Sequence, residues 1–300
     1  MLDAFYDTLE LLPRGLIYVA LGILVVYFAK LIQDWITPYR IGDQVGTGKN
    51  NALGLSLSGY FIGVIIVFVA VLYTPFSSSG SNLTFDIDFA TEVLQVFLYS
   101  MGGILVLNLT RYLIDHLVLR KFKVEKAIIE DQNIGTGAVE FGIYIAVALV
   151  IASSLAGEAA ATSIVEEILR SVVFFLLGMV VLVAYTYFYQ FTTRYDIHDE
   201  IERANPAVGI TVAANLIAIA IVTFKAVYGV FMGWGESLVS FVTFAITGFI
   251  LLLVVRWIVD KVIFPRIKIP AELSESQNTG VAFIVGGVVI SASLVLYFAI

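Results

Sequence analysis

Residues 205–229 read NPAVGITVAANLIAIAIVTFKAVYG, a stretch in which Lys225 is the one charged side chain. Crossing the hydrocarbon core of a bilayer takes about 20 apolar residues in a helix. The stretch is long enough for that, and it is too long and too uniformly apolar for a strand of a membrane β-barrel, which alternates and runs about 10 residues. It therefore predicts a transmembrane helix that starts near an asparagine.

The whole chain has the same character. It has 300 residues, of which 60% are hydrophobic and 14% charged, and its mean hydropathy is +0.96. So few charges cannot cover the surface of a soluble protein of this size, so the composition indicates an all-α, polytopic membrane protein. Charged residues separate eight apolar segments, which we expect to be the spans: 11–36, 51–73, 93–118, 137–156, 167–191, 207–229, 237–262 and 279–300.

Basic residues indicate the orientation of these spans, because Lys and Arg favour the cytoplasmic ends of transmembrane helices. Fourteen of them lie in or beside the connections that follow the odd-numbered spans. The other side of the membrane has three, Arg14, Arg170 and Lys225. The fourteen are Lys30, Arg40, Lys49, Arg111, Arg120, Lys121, Lys123, Lys126, Arg194, Arg203, Arg256, Lys261, Arg266 and Lys268. Those connections are therefore predicted to be cytoplasmic, with both termini on the outer side.

An internal repeat follows from the same connections, each of which ends in an asparagine followed by small residues. These are Asn51, Asn133, Asn205 and Asn278, spaced 82, 72 and 73 residues apart. The spacing predicts four copies of one unit: a leading helix, a polar connection and a return helix that begins at the asparagine. Two spans per unit make the copies parallel, and they group into two four-helix domains, residues 1–158 and 159–300.

The two kinds of helix differ in side-chain size. Return helices carry small residues four apart, whereas leading helices carry long runs of bulky ones such as 23–28 and 172–177. In lipid, close backbone approach at small residues drives helix association. The pattern predicts that return helices pack centrally and leading helices face lipid. The small residues are Gly59 and Gly63; Ala138, Gly142 and Ala146; Gly209 and Ala213; and Ala282 and Gly286.

Short motifs in the connections carry a family resemblance. TPY at 37–39 followed by NA at 51–52, and YDIHDEI at 195–201 followed by NPAV at 205–208, resemble the YjfL-type inner-membrane family, domain of unknown function 350. The resemblance covers nearly the whole chain as two tandem copies, although the second unit has RKFK at 120–123 where the motif would stand. It implies a bacterial inner membrane and a phage-shock-protein-A-like peripheral partner, and it brings no activity.

The four asparagines, Asn51, Asn133, Asn205 and Asn278, have two interpretations. An asparagine before a helix accepts a hydrogen bond from a free backbone amide, which contributes about 1 kcal/mol, and capping alone is a sufficient reason for all four. Alternatively, four helix N-termini that converge on one axis would concentrate partial positive charge at a cytoplasmic mouth and favour an anion or the carboxylates of a partner.

Other polar residues near or within the spans are candidate functional groups. Three leading helices end in a base and an acid four residues apart. We expect the bases to anchor the inner interface and the acids to pair with a neighbouring repeat, or else the pairs to gate a cytoplasmic vestibule. The pairs are Lys30 with Asp34, Arg111 with Asp115, and Arg256 with Asp260. Glu140, Lys225, Asn108 and Asn215 lie inside the apolar segments. Glu140 is expected to face the bundle interior, Lys225 to reach outward towards Glu158 or Glu236, and the asparagines to bond neighbouring helices.

Several functions are disfavoured by the residue inventory. A net charge of −7 argues against nucleic acid, and the chain has no cysteine and two histidines without partners at metal-ligand spacing, so we expect no metal and no cofactor. No nucleophile, zinc or phosphate-loop motif is present, which predicts a protein that is not an enzyme. The favoured hypothesis is a channel or transporter with a site among the return helices; the alternative is a non-transporting scaffold for a peripheral partner. Association into a homo-oligomer stays open.

Overall fold

A computed structural model describes residues 2–73, 87–118, 123–155, 164–228 and 231–299, with the side chains of 2–11, 113–118 and positions 164 and 167 outside that description. The described residues form helices, turns and loops with no strand, and eight helices are long and apolar enough to cross a membrane. The predicted all-α class and the eight spans are confirmed.

The long helices alternate with short connectors. The long ones are α1 (Leu2–Ile36), α2 (Asn51–Leu72), α3 (Ile87–Val118), α5 (Ile134–Leu155), α6 (Ile164–Thr192), α8 (Pro206–Val227), α9 (Trp234–Ile258) and α11 (Thr279–Ala299). The connectors contain the short helices α4 (Val124–Ile129), α7 (Ile197–Glu202) and α10 (Ile269–Ser274), and π-helical turns at Asp43–Thr47 and Val259–Ile263. These connectors define the connector side of the protein.

The return helices α2, α5, α8 and α11 pack side by side in a row, in that order. Their backbones approach closely at small residues. A β-carbon on Gly142 would lie 2.4 Å from the Cα of Ala213, and one on Gly209 would lie 2.3 Å from the carbonyl oxygen of Gly135. Only glycine permits these two approaches between α5 and α8, so this small-residue contact sets the spacing of the row.

The leading helices form a second layer over the grooves of that row. α1 lies against α2, α3 against α2 and α5, α6 against α5 and α8, and α9 against α8 and α11. Their outward faces carry exposed apolar residues such as Ile23, Leu98, Leu176 and Ile250, as a lipid-facing layer requires.

The row is open, which corrects the expectation that all return helices surround one central axis. α5 and α8 each have a neighbour on both sides and are mostly buried, whereas α11 packs on α8 and α9 and leaves most of its surface exposed. The prediction of a central position therefore holds for α5 and α8 and is wrong for α11. The physical reason is that each small-residue contact joins one return helix to the next, and Gly54 on α2 and Gly287 on α11 meet no neighbouring helix.

Replacing Gly142 with alanine tests the role of the close approach. The added β-carbon meets the backbone of α8, so Gly142→Ala should destabilise the protein by about 1–3 kcal/mol. Gly287→Ala is the matched control, since nothing lies within 4 Å of that position and alanine favours a helix by up to about 1 kcal/mol. Thermal unfolding in detergent compares the two, and equal unfolding temperatures would contradict the packing argument.

Candidate functional site

Each return helix begins at an asparagine on the connector side. The side-chain oxygens of Asn50, Asn133, Asn205 and Asn278 accept from backbone amides in the first turn of α2, α5, α8 and α11, at 2.9–3.2 Å. In the first of these helices the cap is Asn50, which is buried, and Asn51 is the exposed first helical residue. The assignment of this position to Asn51 is corrected, because the carboxamide must precede the amides that it caps.

The residue before each of these caps adopts a left-handed backbone conformation. The φ angles of Lys49, Gln132, Ala204 and Gln277 lie between 47° and 61°. None of the four is a glycine, although such a conformation costs other residues about 1–2 kcal/mol. The backbone amide of the following asparagine then donates to a carbonyl five or six residues earlier, as from Asn133 to Ala127 at 2.8 Å. The bend therefore turns each connector back towards its return helix.

The same asparagines link consecutive connectors. The carboxamide nitrogens of Asn50, Asn133 and Asn205 donate to the carbonyls of Ile128, Ile201 and Leu273, at 2.8, 2.7 and 2.9 Å. Each acceptor lies in or beside the next connector helix, α4, α7 or α10. Asn278 donates to the carboxylate of Glu272 in its own connector. The hydrogen bonds thus use both ends of each carboxamide, and the capping oxygens occupy the amides that the anion mouth would need.

A buried polar cluster lies about two to three helical turns from these caps, in the first half of the chain. It contains Gln33 of α1, Ser56 and Tyr60 of α2, Asn108 and Arg111 of α3, and Glu140 and Tyr144 of α5, and we call it the filled cluster. Gln33 donates to Asn108 at 3.0 Å and to Tyr144 at 3.2 Å, and Asn108 donates to Tyr60 at 3.1 Å. Hydrogen bonds therefore join the four helices at one level.

Glu140 is the charge at the centre of the filled cluster. Its side chain is 1% exposed, and its carboxylate accepts from the Ser56 hydroxyl and forms an ion pair with Arg111. The guanidinium of Arg111 also lies 5.6 Å from the centre of the Tyr144 ring. Outside the spans, burial and then the negative charge of Glu140 raise the pKa of Tyr39 to about 12, which keeps that phenol protonated beside the cluster. The pair with Arg111 is the condition under which Glu140 can be buried.

A related cluster occupies the same positions in the second half. Measured from the caps Asn133 and Asn278, Arg256 corresponds to Arg111 and Val285 to Glu140, each 145 residues later. A cavity of about 20 Å³ lies there, and we call its surroundings the open cluster. The polar side chains that line it are Tyr189, Tyr195, Thr211, Asn215, Arg256 and Asp260, beside Val285 and Val289.

The predicted base and acid pairs have different outcomes. Lys30 pairs with Asp34 within α1. Arg111 pairs with Glu140 on another helix, and the side chain of Asp115 lies outside the described residues. Arg256 and Asp260 form no ion pair although both side chains are described, because the guanidinium turns to Thr192 and Thr193. Lys30 and Asp34 thus pair within one helix and Arg256 and Asp260 do not, while the role of these bases as anchors of the inner interface stays a prediction.

The remaining predicted polar residues are buried or lie over a ring. Asn215 accepts from the hydroxyl of Tyr185 at 2.9 Å, and its nitrogen donates to the carbonyl of Thr211 at 2.9 Å. Lys225 forms no ion pair with Glu236; its ammonium lies 5.6 Å from the centre of the Tyr297 ring, and Glu158 is outside the described residues. Among the described residues no group of three His, Asp or Glu side chains could hold a metal ion.

Several members of both clusters were not predicted from the sequence. Gln33, Ser56 and Tyr60 gave no signal because single polar residues in a span have no fixed periodicity. A comparison of the two halves at the register of their caps would have pointed to the cluster, since it aligns Ser56 with Thr211 and Glu140 with Val285. The signal is the substitution of a carboxylate by an aliphatic side chain beside a retained arginine.

Comparisons with known proteins agree with two tandem copies of one four-helix domain. The family Domain of Unknown Function (DUF350) matches residues 7–155 and 163–300. The chain belongs to this family. It is also 22% identical over 273 residues to a UPF0719 transmembrane protein of Aquifex aeolicus (strain VF5), which covers 90% of this chain and 94% of that relative. No solved structure matches the chain. The resemblance inferred from the connector motifs is thereby confirmed, and the family description brings no activity.

Neutralising Glu140 tests the filled cluster. Glu140→Gln keeps the size of the side chain but leaves Arg111 without its counter-charge, and breaking a buried pair in this way costs about 3 kcal/mol or more. Adding Arg111→Gln should recover part of that loss, because the double variant buries no charge. The exposed Glu130→Gln is the control. Unfolding in detergent measures all four proteins, and a Glu140→Gln variant as stable as the control would refute the pairing.

Proposed function

We propose that this multi-pass membrane protein is a non-transporting scaffold that holds a set of connectors at the surface of the bacterial inner membrane for a peripheral partner. The observation that supports the proposal most directly is the close packing of α2, α5 and α8. A β-carbon on Gly59 would lie 2.5 Å from the Cα of Phe141, and Gly142 and Gly209 are as tightly enclosed. Helices this close leave no room for a hydrated path between them.

The parts of α5 and α8 that lie further from the connectors are also closely packed. On the side away from the connectors, the buried faces of α5 and α8 are formed by Val147, Val150, Ile219 and Val222. The polar Thr223 donates to the carbonyl of Ile219 in its own helix. A proton relay or an ion path needs a chain of polar groups, and the described part of these helices offers apolar side chains instead.

The connector side is the surface available to a partner. The apolar side chains of the connectors are turned inward, since Val124, Ile128, Ile197 and Ile201 are buried. They therefore serve the packing of the protein itself. The outward faces carry charged residues such as Glu125, Lys126, Glu202 and Arg203, so partner recognition is expected to be electrostatic and sensitive to salt.

The orientation belongs to the same proposal. The excess of Lys and Arg at the connector side favours the cytoplasm for the connectors and the periplasm for both termini. A phage-shock-protein-A-like peripheral protein, the partner that the family resemblance implies, would then meet the connectors from the cytoplasm.

Transport is the second candidate, and one observation favours it. The open cluster retains a cavity beside Arg256. If this cavity opened towards the opposite side during a cycle, it would act as a substrate site.

Topology can be measured directly because the chain has no cysteine. Single variants Lys126→Cys, in α4, and Glu236→Cys, at the start of α9, place one thiol on each predicted side. In intact spheroplasts, a membrane-impermeant maleimide should label Glu236→Cys at once and Lys126→Cys only after lysis. The reverse labelling pattern would place the connectors in the periplasm and would exclude a cytoplasmic partner for them.

Reconstitution separates the scaffold from the transporter. Proteoliposomes should show no flux of Na⁺, K⁺, H⁺ or Cl⁻ above protein-free vesicles, for the wild type as for Glu140→Gln and Lys225→Met. The same vesicles should sediment a purified phage-shock-protein-A-like protein, and reversing the exposed charges in Lys126→Glu with Arg203→Glu should weaken that binding about tenfold, equivalent to about 1.4 kcal/mol. Saturable ion flux in the wild type would refute the scaffold proposal and support the transporter.

A further inference from the structure

The two clusters use the same framework with different occupants. Around the cap positions, Ser56 and Arg111 of the filled cluster correspond to Thr211 and Arg256 of the open cluster, so a hydroxyl and a guanidinium are kept. Glu140 and Tyr144 correspond to Val285 and Val289. The second half therefore keeps the cation of the ion pair and lacks its internal carboxylate.

The positive charge of Arg256 is not neutralised by an ion pair among the described residues. Its guanidinium donates to the hydroxyl of Thr193 at 3.1 Å and lies 5.0 Å from the centre of the Tyr189 ring. Both contacts are with neutral groups, and Arg256 forms no ion pair with any carboxylate in the described ranges. A guanidinium at this depth favours a nearby negative charge, because the surroundings solvate it less well than water does.

A second donor belongs to a side chain that lines the same cavity. The hydroxyl of Tyr195 is buried and has no hydrogen-bond partner among the described residues, although Tyr195 lines the cavity. The pKa of this tyrosine, which lies in the connector between α6 and α7, is raised by burial, so the hydroxyl keeps the proton that it can donate. Burying a hydroxyl without a hydrogen-bond partner lowers the stability of the folded protein by about 1–3 kcal/mol. A bound acceptor would remove that cost.

The size of the cavity limits the occupant. One water molecule needs about 10–15 Å³ of such space, so a cavity of about 20 Å³ takes a single small ion or molecule. Phosphate esters and lipid headgroups are too large. Asp260 also lines the cavity, and its charge weakens the attraction for an anion without neutralising Arg256 by contact.

We propose that the open cluster binds one small monovalent anion of chloride size, between Arg256 and the hydroxyl of Tyr195, where the first half of the chain places the carboxylate of Glu140. The site is separate from the connector surface. It does not depend on the scaffold function, because binding is measured in detergent without vesicles or a partner.

The test compares chloride with gluconate at equal ionic strength, since gluconate is too large for the cavity. In wild-type protein, chloride should raise the unfolding temperature in a saturable way and should broaden the chloride NMR resonance. Arg256→Gln should lose both effects. Val285→Glu should lose them as well, because it restores the internal carboxylate of the first half. Ser276→Glu, which adds the same charge at an exposed position, should respond like the wild type.

Two results would overturn the proposal. The first is a wild-type protein whose unfolding temperature and chloride line width do not distinguish chloride from gluconate, in which case water alone fills the cavity. The second is an Arg256→Gln variant that keeps the full response, which would place the anion elsewhere. If Val285→Glu does not fold, Arg256→Gln and the line width still decide between these outcomes.

Discussion

The close contact between the backbones of α5 and α8 is the constraint on which the rest of the structure depends. Gly142 on one helix and Gly209 on the other let each backbone reach the other at van der Waals distance, and any larger side chain would separate them. In a bilayer the hydrophobic effect does not drive helices together, so packing and polar contacts must do so. The resulting row of four return helices fixes the grooves in which the leading helices lie, and the contact between α5 and α8 leaves no room for water at these glycines.

The asparagine caps give this row a uniform arrangement on the connector side. Each carboxamide satisfies first-turn amides of its own helix, and three of the four also bond a carbonyl in the next connector. A single side chain thus joins helix start, connector and neighbouring unit. The fourth cap, Asn278, donates to Glu272 within its own unit.

The two halves of the chain differ at the buried charge. In the first half the carboxylate of Glu140 neutralises Arg111 inside the protein, whereas the second half has Val285 in that place and a small cavity beside Arg256. Retaining an arginine without its partner carries an electrostatic cost within the membrane. The difference therefore separates a site that is structural in one half from one with room for a ligand in the other.

The sequence by itself determined the fold class, the eight spans and the family, because apolar length and connector motifs are local properties. It also located the helix starts, although it assigned the first cap to Asn51 instead of Asn50. It could not determine that the return helices form an open row, nor that Arg111 turns to Glu140 while Arg256 turns to hydroxyls. Those outcomes depend on which helix faces lie opposite each other. Only the tertiary structure decides that, because residues distant in the chain meet through packing that no local pattern encodes.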